Sequence, residues 1–182
     1  GQEVEIHNGT SVLERLTRWG FDRFLHAGLG APRVEAVFFD DDAHAVQCAD
    51  RRDGLALDVG VSTQLYLCFD EDAACADGDC DGFRPRARHL MLHEIGHAWL
   101  NDHVGEATEE AFVELMGLEQ WRGEAIPREQ RGVEQAADVL KWGVMESQME
   151  AMKDRTCDEL AAAFELLTGE QPQQPCARGA GR

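Results

Sequence analysis

Long apolar runs are missing from this sequence. No stretch approaches the roughly 18–20 consecutive apolar residues that a membrane-spanning helix requires, so none is expected. Basic residues are scarce: 17 lysines and arginines stand against 35 aspartates and glutamates, a formal net charge of −18. A mean field of that sign repels phosphate, which excludes a general nucleic-acid binder and a protein held on anionic membranes. Tyrosine occurs once, at Tyr66. No C-x-x-C is present, so zinc-knuckle and thioredoxin-type readings fail on spacing. Internal repeats and separating linkers are absent as well.

What is present is the composition of a globular chain, 43% hydrophobic and 29% charged over 182 residues. That length suits one domain over residues 1–182, with an irregular tail from about residue 169 around Pro172 and Pro175. Six cysteines form an even set, which points to three disulfides and an oxidising, extracellular compartment. The expected pairs are Cys48–Cys68, Cys75–Cys80 and Cys157–Cys176. A signal peptide, if there was one, is expected to have been removed, since Gly1 opens no apolar leader.

Apolar spacing divides the chain into elements. Val12, Leu13, Leu16, Trp19, Phe24 and Leu25 keep a helical period between Thr10 and Leu29. Shorter patterns at Val34–Phe39, Ala43–Cys48, Leu55–Val59 and Gln64–Phe69 predict strands, with a turn at Asp53-Gly54. After the acidic loop Asp70–Gly82, helices are expected at Pro85–Asn101, Thr108–Trp121, Pro127–Met152 and Cys157–Thr168. The fold class is α+β: an N-terminal helix, a small antiparallel or mixed sheet, then helices. Trp19, Trp99, Trp121 and Trp142 fall on apolar helical positions and are expected in the core.

The string that carries chemistry is His93-Glu94-Ile95-Gly96-His97. Histidines four residues apart lie about 40° from each other around a helix, one turn apart, so both can hold one Zn²⁺. Glu94 then reaches a water at the metal's open position. Leu90, His93, His97 and Leu100 share one stripe, while Met91, Ile95, Ala98 and Trp99 cover the other faces. The histidines are therefore expected to face inward, on a helix buried on several sides.

A catalytic zinc needs a third protein ligand. Glu134 opens Glu134-Gln-Ala-Ala-Asp138, on the flank of a stripe formed by Val133, Ala137, Leu140 and Val144. Glu134 can ligate the metal while Asp138 accepts a hydrogen bond from a ligand histidine and fixes its tautomer. His103 is the alternative ligand. Together, His93-Glu-x-x-His97 and Glu134-x-x-x-Asp138 resemble the gluzincin zinc metallopeptidases, and in particular the small minigluzincins of the ImmA/IrrE type. The resemblance covers about residues 10 to 145. It implies a zincin-like fold with an active-site helix and a downstream glutamate helix. It departs from many gluzincins in the long stretch 98–133 between the ligand helices. The metzincin pattern would use His103, but Leu100 stands where that pattern needs a chain-turning glycine, and a leucine disfavours positive φ there.

The expected activity is hydrolysis of peptide bonds by a secreted zinc peptidase. Glu94 acts as general base, and a peptide or protein is the substrate. Tyr66, Arg131 and His103 are candidate donors to the oxyanion. An edge strand near Gln64–Phe69 is expected to receive an extended peptide. The competing reading is a non-catalytic zincin-like module whose metal is structural or senses a partner. A second metal, Ca²⁺, is suggested by Asp77-x-Asp79-x-Asp81-Gly82, but Pro85 and Arg88 stand where an EF-hand needs its ninth and twelfth ligands.

Overall fold

The structure is a computed structural model that describes residues 4–39, 48, 54–75, 82–123, 125–145, 152, 154–174 and 176. The strands are β1 (Glu5–His7), β2 (Val34–Phe39), β3 (Gly54–Asp58) and β4 (Thr63–Leu67). The α-helices are α1 (Ser11–His26), α2 (Glu71–Ala74), α3 (Pro85–His103), α4 (Glu106–Met116), α5 (Gly132–Gly143) and α6 (Cys157–Thr168). A 3-10 turn, Arg128–Gln130, precedes α5. The class is α+β, as expected. By contacts the chain divides into two compact units, Gly1–Asp22 with Ala31–Asp102, and Arg23–Gly30 with His103–Arg182.

The first unit is a four-stranded mixed sheet, ordered β1-β2-β4-β3, with helices. β1, β2 and β4 run parallel, and β3 returns antiparallel to β4. Period-two alternation sends Val37, Phe39, Leu65 and Leu67 to one face, each at most 2% exposed. The opposite face carries a stack of rings across three strands, His7 on Phe38 at 4.5 Å and Phe38 on Tyr66 at 4.8 Å between centroids. α1 crosses α3 at Gly20, where a β-carbon would come within 2.7 Å of both Met91 and Ile95. Asp70 caps the single turn of α2 by accepting from the Ala73 N–H. The Cys48–Cys68 disulfide joins the residue just after β4 to the segment before β3.

In the second unit α4, α5 and α6 pack on one another through Phe112, Met116, Val139, Leu140, Phe164 and Leu167. The α5–α6 crossing is tight at Gly143, where a β-carbon would lie 2.0 Å from the Phe164 ring. Thr156 and Glu159 form a reciprocal capping box at the start of α6. The Thr156 N–H and hydroxyl bonds hold the Glu159 carboxyl below its usual 4.5. Beyond α6, residues 169–174 are irregular; the Cys157–Cys176 disulfide and Gln174, which donates to the Trp142 carbonyl at 2.6 Å, anchor the chain there. Cys75 is disulfide-bonded; its expected partner Cys80 lies outside the described residues. No helix among the described residues is long and apolar enough to cross a membrane.

Several expectations are corrected. The three-residue β1 was not anticipated, being too short to show a period; the sheet is mixed because β3 alone runs antiparallel to its neighbour. Gln64–Phe69 is not an edge, because β4 lies between β2 and β3; among the described residues β1 and β3 hold the edges. Gly54 does not belong to a turn but opens β3. Of the strand expected at Ala43–Cys48, residues 43–47 lie outside the described residues and Cys48 is helical. The helix expected to reach Trp121 stops at Met116, because Gly117 takes the left-handed conformation (φ 62°) and its N–H bonds back to Val113 and Glu114. The helix expected from Pro127 starts at Gly132. Backbone bonds from Gly132 to Gln120 and from Val133 to Trp121 pull that stretch out of helical conformation. The far end of that expected helix, 146–151, lies outside the described residues. Trp99, Trp121 and Trp142 are buried and Trp19 is half-buried, whereas Leu25 is 52% exposed.

Gly143→Ala overpacks the Phe164 contact and is expected to cost about 3 kcal/mol in urea unfolding. Gly82→Ala, with nothing within 4 Å, stays within about 0.5 kcal/mol of wild type in the same measurement. Thr156→Ala costs about 1 kcal/mol at neutral pH. Because the folded Glu159 carboxyl titrates below its usual value, its share of the cap is full above pH 4.5 and fades below it. The Tm gap to wild type therefore narrows on acidification.

Candidate metal centre

α3 is the element on which the centre is built. Pro85 opens it, where a missing N–H costs nothing, and apolar residues on every side bury its middle. Met91, Leu92, Ile95 and Ala98 are each fully buried, and among them His93 is 5% exposed and Glu94 2%. His97, one turn on, is half-buried. The two imidazoles meet edge to face at 88°, with their Nε2 atoms 3.0 Å apart. Two nitrogens bound tetrahedrally at about 2.0–2.1 Å from one zinc stand about 3.4 Å apart. The helix alone therefore sets the pair near the spacing that a shared metal needs.

Glu134 is in the first turn of α5, its side chain 18% exposed. The Arg128 guanidinium donates to its Oε2 at 2.8 Å. The ligand atoms offered by His93, His97 and Glu134 all lie within 4.8 Å of one another, and this is the group that could hold a metal ion among the described residues. Two imidazoles and one carboxylate are a donor set that suits a divalent metal ion.

Asp138 lies one turn after Glu134 and accepts from Lys141 Nζ at 2.6 Å. His103, the alternative ligand, is the last residue of α3, exposed and outside the group of three. The Tyr66 hydroxyl donates to Gln64 Oε1 at 2.9 Å on the interior strand β4. Arg131 Nε donates to the Ile126 carbonyl at 3.1 Å. The suggested Ca²⁺ ligands Asp77, Asp79 and Asp81 lie outside the described residues; Gly82 is exposed, and Pro85 and Arg88 belong to α3.

Two residues near these side chains escaped the sequence reading. Arg128, paired with Glu134, carries no periodic or motif signal. Gly54 reads as part of a turn with Asp53, just ahead of the Leu55–Val59 strand pattern, whereas it opens β3. A β-carbon there would sit 2.6 Å from Glu94 Oε1.

Compared with known protein families, with curated proteins and with solved structures, the chain finds no match.

The centre makes a direct binding prediction. Zinc at a hundred times its Kd stabilises the folded chain by about 2.7 kcal/mol, a Tm rise of about 5–10 °C for a chain of this size. His93→Ala, His97→Ala and Glu134→Ala each remove most of that rise in a thermal melt, and His103→Ala keeps it. A His103 variant that loses the rise while the Glu134 variant retains it would move the third ligand to His103.

Proposed function

We propose that the protein is a secreted zinc-dependent peptidase of gluzincin type. The observation that carries this reading is the buried Glu94 beside a His93/His97/Glu134 donor set. A purely structural metal is closed by four protein ligands and has no use for an adjacent carboxylate. Disulfides at Cys48–Cys68 and Cys157–Cys176 are consistent with an oxidising compartment and support secretion.

In this reading His93, His97 and Glu134 hold the ion, which when bound supplies Lewis acidity for the attacking water and the substrate carbonyl. Glu94 removes the proton from the water as its oxygen adds to the scissile carbon. The same carboxyl then gives that proton to the departing amine nitrogen as the C–N bond breaks, so one water is added across the amide. The low exposure of Glu94 keeps bulk solvent from competing for that proton. Arg128 donates to Glu134 Oε2 and so restrains the orientation of that carboxylate.

The sheet supports a peptide substrate. Among the described residues β3, and not β4, is the edge strand on this side, and its first residue lies against Glu94. An extended peptide added along β3 would use the outward N–H and C=O groups of that strand. Leu57 and Val59, 42% and 39% exposed, are the apolar side chains such a peptide would meet.

The test compares wild type with Glu94→Gln. Both bind zinc, and hydrolysis of a broad peptide library falls by about 10²–10⁴-fold in the variant. Zinc binding by both with cleavage by neither would favour the non-catalytic module.

A further inference from the structure

We infer that Gly54 is a positioning residue for Glu94: the missing side chain on β3 is the space in which that carboxylate is held. Gly54 and Glu94 are distant in sequence and lie on different elements, an edge strand and the buried helix α3. A β-carbon built on Gly54 would stand 2.6 Å from Glu94 Oε1, 2.8 Å from Cγ and 2.9 Å from Cδ. Three atoms of one side chain lie that close, so turning the carboxylate alone does not relieve the clash. The side chain must be displaced bodily, and at 2% exposure, between the fully buried Leu92 and Ile95, it has no solvent to move into.

Conformation does not demand a glycine here. Among the described residues the glycines with positive φ are Gly28, Gly60, Gly117 and Gly169, so Gly54 has backbone angles that any residue can adopt. Gly54 is the first residue of β3, and a glycine in a strand often marks the close approach of another group. Gly54 pairs with Leu67 across the β3–β4 ladder, so a side chain at 54 would point to the same buried sheet face as Leu67. The clash is therefore fixed by register. Moving it off Glu94 would take a one-residue slip of β3, which would turn every side chain of the strand over.

The steric coupling stands on the contact alone. Its catalytic consequence rests on the reading of Glu94 as general base, and the experiment separates the two. Gly54→Ala is made in wild type and in Glu94→Ala, with thermal melts of all four proteins. In the wild-type background Gly54→Ala lowers Tm by about 3 °C or more. In the Glu94→Ala background the added methyl occupies vacated space, and Tm stays level or rises. An equal loss in both backgrounds overturns the coupling, as does a Gly54→Ala protein that fails to fold in both. Failure to fold with Glu94 present, together with folding in the Glu94→Ala background, upholds it.

Zinc affinity, read by competition with a chromophoric chelator, stays within about threefold of wild type in Gly54→Ala, because neither histidine is touched. Against a cleaved peptide the same variant loses about 100-fold in kcat with KM little changed, the expected cost of about 1 Å of misplacement of a base. Unchanged kcat overturns the positioning role. If wild type cleaves no peptide, the peptidase reading fails by itself, and the melts still judge the coupling.

Discussion

Helix α3 has to be buried on all its faces while carrying two imidazoles and a carboxylate through its middle, and the first unit is arranged around that requirement. A charged group taken out of water is costly unless neighbours hold it, so such a helix tolerates few alternative packings. Close approach is achieved by removing side chains from what surrounds it. Gly20 lets α1 settle against Met91 and Ile95, and Gly54 lets β3 settle against Glu94. Larger residues at both positions would hold α3 away from its neighbours, and the apolar contacts of Leu92, Ile95 and Ala98 would loosen with them.

The second unit solves a different problem with the same device. Glu134 must stand in the first turn of a helix whose start is set by backbone pairing, since Gly132 and Val133 bond to Gln120 and Trp121. Gly132 permits that approach, as its β-carbon would lie 2.7 Å from the Trp121 ring. At the other end, Gly143 brings α5 onto Phe164 of α6. α5 is thus fixed at both ends by glycine contacts, and the Arg128–Glu134 pair adds a local restraint on the carboxylate. That ion pair is partly exposed, so its value lies in orientation more than in stability.

The acidic excess divides between these roles. Glu94 and Glu134 are drawn inward, and Glu159 serves a helix cap. Most of the described carboxylates that remain are on the surface, where they keep the chain from phosphate and anionic surfaces. The expected disulfides at Cys48–Cys68 and Cys157–Cys176 are formed, closing loops of 20 and 19 residues' separation. Such crosslinks stabilise mainly by limiting the unfolded chain, more so the longer the loop they close.

Much of the architecture was legible because it is periodic. The spacing of His93 and His97 places both rings on one side of a helix whatever surrounds it, and α1, α3, β2 and α6 follow from runs of apolar residues at 3.6 or 2. Glu134 and Asp138 were readable for the same reason, being one turn apart on one helix. Sheet order was not, because it depends on which strands meet and a parallel crossover leaves no local mark. So β4 was mistaken for an edge and β1 went unseen. The start of α5 depends on Gln120 and Trp121, which no helical period anticipates. Gly54 is legible as a glycine, but that its missing side chain leaves room for Glu94 depends on the register of an edge strand against a distant helix. The types of donor and their helical spacing were thus written into the chain locally, because a few neighbouring residues set both. Their packing partners were settled in three dimensions, because close approach and strand order are properties of segments far apart along the chain.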